Sequence, residues 1–191
     1  ADIRRAVLWD DANAAYAYKE GMLLIREMDE ENRRWIDVPG DPREKAQARD
    51  PLQRRIVAAL EAAVRRNPLN AEYHVRLGWE YTHLWYRPDY AKKWLAASDT
   101  SMERAAHVGG GWAENPHLHL ELGNYWIMRS RSLPPGDLRT EAAWTRAWWH
   151  YRQSLALDSG KASRQEIAGF VNSFYPGQTG ELDRILKEVT P

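Results

Sequence analysis

Six histidines are the first candidates for metal or proton chemistry: His74, His83, His107, His117, His119 and His150. His117 and His119 stand two positions apart, which on a helix turns their rings about 200° from one another. Only a non-helical turn there would let them share an ion. His74 and His83 fall on roughly opposite sides of a helix. No zinc-ligand spacing emerges, so the expectation is no metal and no cofactor. Carboxylates are plentiful, yet Asp10-Asp11 and Asp29-Glu30-Glu31 read as solvated helix faces, the second balanced by Arg33 and Arg34. None is isolated among apolar residues in the way that drives a catalytic acid and base apart in pKa. Ser130, Ser132 and Ser154 lack nucleophile-elbow surroundings. Gly109-Gly110-Gly111 has no lysine or serine continuation, so it reads as a helix stop and not a phosphate cradle.

Ring surface is the one abundant chemical resource, with ten tryptophans beside only two phenylalanines. Trp94, Trp126 and Trp148 fall where core rings are expected. Trp144 and Trp148 share a helical face, whereas Trp149 is turned about 140° from Trp144. That helix therefore carries rings on more than one side, and the surplus suits either sugar stacking or a second buried interface.

The elements that would position these residues are helices. Lys plus Arg (27) equals Asp plus Glu (27), which removes the basic excess a nucleic-acid binder needs. There is no cysteine, hence no disulfide, thiolate metal site or cysteine nucleophile, and the compartment stays open. No apolar run approaches the roughly 18 residues of a membrane span. The chain opens on alanine without an initiator methionine or a leader, as expected of a mature form or an excised fragment.

Apolar residues recur with the helical period, and alternation is hard to find. A first helix is expected from Ile3 to Trp35, with an apolar side of Val7, Leu8, Ala14, Ala15, Tyr18, Met22, Leu23 and Ile25. Pro39 to Pro42 break it. A second is expected to start at Asp50-Pro51, an acidic cap with proline in the first turn, and to present Leu52, Ile56, Ala59, Leu60, Ala63 and Val64. Further helices are expected over Ala71–Tyr86, Tyr90–Val108, from Asn115-Pro116 to the loop at Leu133, Arg139–Leu157, Ala162–Phe174 and Gly180–Val189. The fold expected is all-α with about eight helices. Residues 1–50 would form an N-terminal helix and linker, 51–175 a repeat region, and 176–191 a C-terminal capping helix.

Leu77-Gly78 followed by Tyr81, and Leu122-Gly123 followed by Trp126, repeat at a spacing of 45 residues. Glycine permits close helix approach, and the ring three residues on fills the adjoining gap. Ile56-Leu60-Ala63 and Ala147-Tyr151-Ser154 repeat a second spacing. This pattern resembles the tetratricopeptide repeat over roughly residues 50 to 175, in degenerate form, since that repeat usually spans about 34 residues. The Asn-Pro that opens each copy lies three residues closer to the glycine in the second. The resemblance implies a right-handed solenoid of antiparallel helix hairpins with a concave groove lined by the first helix of each pair.

By that alignment the groove receives Glu72, Val75, Trp79, Thr82 and His83 from one helix. His117, Leu120, Asn124, Ile127 and Met128 come from the next. The set suits a peptide, a protein segment or an amphipathic helix, and it lacks the lysine-asparagine arrangement of a carboxylate clamp. Asn67 to Tyr81 and Asn115 to Trp126 are also similar to the soluble repeat region of bacterial O-antigen ligase and polymerase-like membrane proteins. That likeness implies a periplasmic segment of an envelope-polysaccharide protein, with catalysis in another part of the parent, and no catalytic residue transfers to this chain. The expected function is thus a non-enzymatic interaction domain, periplasmic or extracytoplasmic, with glycan contact and a cytoplasmic scaffold as alternatives.

Overall fold

An asparagine opens three of the helices, and each time a glycine follows eight residues later: Asn13 and Gly21, Asn70 and Gly78, Asn115 and Gly123. The structure, a computed structural model, describes residues 13–36, 41–84, 91–108, 115–133, 136–158 and 161–174, with positions 180, 183, 184 and 187. Among the described residues there are seven helices and no strand. They are α1 (Ala14–Ile36), α2 (Pro42–Arg66), α3 (Ala71–Thr82), α4 (Ala91–Val108), α5 (Pro116–Arg131), α6 (Leu138–Leu157) and α7 (Lys161–Phe174). The N-terminal stretch Ile3 to Asp11 and all but four positions of the expected last helix lie outside the described residues. None of the described helices is long and apolar enough to cross a membrane.

The asparagines act as N-caps, their amide oxygens satisfying backbone N–H groups that a first turn leaves unpaired. Asn13 Oδ1 accepts from Ala15 N–H at 3.0 Å, Asn70 Oδ1 from Tyr73 N–H at 3.3 Å and Asn115 Oδ1 from His117 N–H at 2.9 Å. In the first Leu-Gly copy the cap is therefore Asn70 and not Asn67 of the Asn-Pro pair. This removes the three-residue discrepancy in the sequence alignment. His74 Nε2–H instead ties down the preceding turn by donating to the Pro68 carbonyl at 2.9 Å.

Each capped helix pairs with the next one, and in each pair a large side chain of the second helix lies over the glycine of the first. A Cβ at Gly21 would stand 2.8 Å from Leu60 Cδ2, one at Gly78 would stand 2.8 Å from Met102 Cε, and one at Gly123 would collide with the Tyr151 ring. The pairs run antiparallel. Along α1 and α2, Asn32 meets Arg49 near the connection and Gly21 meets Leu60 further out. Along α5 and α6, Trp126 meets Arg146, His119 meets His150, and the Pro116 carbonyl accepts from Ser154 Oγ. Gly169 has open space where a Cβ would be, so α7 is not a further hairpin helix of this kind. It buries Ser163, Ile167 and Val171 at a spacing of one turn and packs on α5 and α6.

The chain divides into two compact units, Ala1–Val108 and Gly109–Pro191. The first holds α1/α2 and α3/α4 around Leu24, Ile25, Met28, Leu52, Ile56, Leu60, Leu77 and Tyr81. The second holds α5/α6 and α7, with Leu122, Tyr125, Ile127, Tyr151 and Leu155 fully or almost fully buried.

Two expectations change. Asp50-Pro51 does not start a helix: α2 begins at Pro42 and runs through Pro51, so residue 50 is not a boundary. A mid-helix proline removes one backbone donor and costs about 3 kcal/mol. Buried Leu52, Gln53 and Ile56 immediately beyond it, with Arg54 paired to Asp50 at 2.9 Å, hold the helix through that position. On α1 the buried line is Ala17, Gly21, Leu24, Ile25 and Met28, while Met22 and Leu23 face outward. The close glycine joint fixes the rotation of α1, and total apolarity does not.

Candidate functional site

Apart from one line of side chains, α3 and α5 are buried on every side. On α3, Ala71, Tyr73, His74, Val75, Leu77, Gly78, Glu80, Tyr81 and Thr82 are buried. Accessible or half-accessible positions are Glu72, Arg76 and Trp79, with His83 at the cap. On α5 the corresponding line is His117, Glu121, Asn124 and Met128. These positions recur every four or three residues and hold the same register to the Asn cap and the joint glycine in both helices, so they form one stripe per helix. The stripe exists on α1 as well, where the same register gives Lys19, Met22 and Arg26, all exposed. Within the first unit α1 reaches the α3 line through Tyr18, whose Oη donates to Glu72 Oε1 at 2.8 Å and whose ring stacks on buried Tyr73 at 4.5 Å.

Six of the seven principal residues expected in the groove lie on these stripes: Glu72, Trp79, His83, His117, Asn124 and Met128. Thr82 does not. It is buried, and its hydroxyl donates to the Trp79 carbonyl at 2.7 Å. Val75, Leu120 and Ile127 are buried too. Arg76, Glu121 and the α1 line went unrecognised, although counting from the cap asparagine to the glycine finds all of them.

The stripe side chains are braced from beneath. Glu80, buried at 3% exposure, accepts from Gln53 Nε2 of α2 at 3.0 Å. It also holds Arg76 at 3.2 Å and faces His83 at 4.0 Å. A carboxylate buried this deeply costs several kcal/mol unless paired and hydrogen-bonded, and here it positions the cation beside Trp79. On α5, His117 lies 3.8 Å from Glu121. Asn124 Oδ1 accepts from Tyr151 Oη at 2.8 Å.

A second arrangement crosses the α5/α6 joint. His119 and His150, both buried, face each other through their Nδ1 atoms at 3.0 Å, so one ring donates and the other accepts. Burial, then the His119 and Arg146 charges, lowers the His150 pKa to about 3. Trp149, 51% exposed, sets its ring edge-on against both imidazoles. No sequence spacing signals this pair, because its members sit 31 residues apart on different helices. His119 does share its register with His74, whose pKa is lowered by burial. His107 is exposed on α4. Among the described residues no three histidines or carboxylates cluster as metal ligands would.

The tryptophans divide as their phases suggest. Trp126 and Trp148 are buried, and Trp94 packs half-buried on the first core, stacked on Tyr81 at 5.4 Å. Trp144 stacks on Trp148 at 5.3 Å. Comparison with protein families, curated proteins and solved structures finds no match.

Proposed function

We propose that this chain is a non-enzymatic interaction module of tetratricopeptide-like helical hairpins. In this reading the first-helix stripes receive a peptide or protein segment. The observation that carries it is the shared register of the stripes. Burying a helix on all sides but one line leaves that line as its available surface, and α3 and α5 share it in the same register, with ring, amide, thioether and charged groups. That mixture fits a segment with both apolar side chains and backbone polar groups. The repeat is read as a right-handed solenoid from its likeness to the family.

The setting proposed is extracytoplasmic, in a bacterial envelope-polysaccharide protein of the O-antigen ligase or polymerase type. It rests on the likeness of Asn67 to Tyr81 and Asn115 to Trp126 to that repeat region; a cytoplasmic scaffold is the alternative. A glycan ligand is the second reading, favoured by the exposed ring of Trp149.

The test is selection of a displayed random-peptide library on the immobilised chain, with a glycan array probed in parallel. Enriched peptides that lose binding on Trp79→Ala or on Asn124→Ala, while Tm stays within about 5 °C, support the peptide reading. Glycan binding without peptide enrichment moves the assignment to the glycan. Binding in neither arm overturns the interaction reading.

A further inference from the structure

His119 of α5 and His150 of α6 are both buried, and their Nδ1 atoms stand 3.0 Å apart across the joint. A contact between two like ring atoms needs one Nδ1 to carry a proton and the other to lack it. One proton added to the pair is tolerated, because an imidazolium N–H still donates to the neutral ring. A second is not: it leaves two N–H groups pointing at each other and two cations side by side out of water. The surroundings act in the same direction. Burial, then the charge of His119 across the joint, then Arg146 one turn before it on α6, all oppose a proton on His150. On α5, Glu121 stands two residues beyond His119 and lies 3.8 Å from His117. The α7 helix, which packs on both, brings half-buried Arg164 and exposed Glu166.

The pair sits toward one end of the hairpin. Beyond it the Pro116 carbonyl accepts from Ser154 Oγ at 2.8 Å, and α7 departs from the same end, where Ser163 Oγ donates to Asp158 Oδ2. Toward the connection between the two helices, Tyr151 lies over Gly123 and Arg146 over the Trp126 ring. Neither of those contacts involves a histidine, so acid acts on one end of the hairpin. We propose that His119 and His150 form an acid-operated latch: the pair holds the Pro116 end of the α5/α6 hairpin closed until a second proton arrives, and that proton opens the first turns of α5 and the last turns of α6. The latch does not depend on the peptide reading above.

Opening admits one proton that the closed pair refuses, so the open fraction should rise about tenfold for each pH unit below 6.5, the ordinary histidine value. Amide hydrogen exchange, followed by NMR on the full chain, reads this as protection factors corrected for the intrinsic pH dependence of exchange. Between pH 7.5 and pH 4.5, protection at His119, Leu120, Tyr151 and Ser154 should fall about a hundredfold. At Ile127 and Ala147, nearer the connection, it should fall by less than about threefold. His150→Asn sets an amide near the Nδ1 position and removes one of the two protonation sites, so the fall at the same amides should shrink to less than about threefold. His119→Asn makes the reciprocal change and should do the same. The pH slope is the readout, so a variant already partly open at neutral pH still gives a flat profile. His74 belongs to the first unit and is the same in every variant, so it cannot produce a difference between them.

Unchanged protection in the wild-type chain, or a hundredfold fall that persists in both asparagine variants, would overturn the latch. Equal loss of protection at Ile127 and Ala147 would mean that the whole hairpin unfolds, and would overturn the local opening as well.

Discussion

The α3/α4 and α5/α6 hairpins share a cap, a glycine and an open stripe, yet they close their joints with different side chains. Gly78 lies under Met102, an unbranched thioether that bends to fit. Ser98 Oγ of the same helix reaches the Gly78 carbonyl at 2.6 Å. Gly123 lies under Tyr151, a rigid ring whose hydroxyl continues past the joint to Asn124. The first closure ends in the core. The second links core packing to a side chain on the accessible surface. The buried histidines diverge in the same way: His74 secures the turn that precedes its helix, while His119 spans the joint to His150. One backbone frame thus carries two solutions, and the difference lies in what the second helix supplies.

The largest effects test the rigid joint. Trp148→Ala removes a buried ring that contacts both Trp144 and Tyr151, and is expected to cost about 3–5 kcal/mol in urea unfolding. Gly123→Leu drives a side chain into the Tyr151 ring and should cost about 3 kcal/mol. Gly78→Leu should cost nearer 1 kcal/mol because Met102 can move aside. Equal costs at the two glycines would remove the distinction between a soft and a rigid joint.

A smaller effect separates the joints by pH. His150 has a folded pKa of about 3, below the ordinary value of 6.5, so the unfolded chain binds a proton that the folded chain refuses. Stability from this residue is complete above pH 6.5 and falls as the pH drops from there toward 3. Between pH 7 and pH 5 the loss from this group should be about 2 kcal/mol. His150→Gln should flatten that part of the stability profile, and an unchanged slope would place the acid sensitivity elsewhere. His74 shifts in the same direction, so the slope left in His150→Gln should flatten further in His74→Gln.

The smallest effects probe the shared frame. Asn70→Ala and Asn115→Ala each lose one cap and should destabilise by about 1 kcal/mol, to a similar extent. Trp79→Ala should cost less than Trp148→Ala, because Trp79 is only half-buried. A loss as large as that of Trp148 would assign Trp79 to the core and take the ring out of the proposed binding line.

Legibility followed the range of the interactions. Caps, periodicity and the Leu-Gly copies are local, and from them alone come the all-α class, the two glycine joints and six of the stripe residues. Pro51 shows the limit: the local rule for proline predicts a helix start, and burial of Leu52 and Ile56 against another helix overrides it. Gly21 was equally local, but with Leu24 in place of an aromatic its copy did not match the expected pattern.

By itself the amino-acid sequence determined the all-α class, the starts of α3 and α5, their two Leu-Gly joints and most of the open line on each of those two helices, because capping and periodicity act within a few residues. Only the tertiary structure decided that Tyr151 fills the space above Gly123 and donates to Asn124, that Gln53 of α2 meets Glu80, and that His119 meets His150. Those contacts depend on the rotation and register of two packed helices, and that geometry is set by the whole core rather than by any short run of residues.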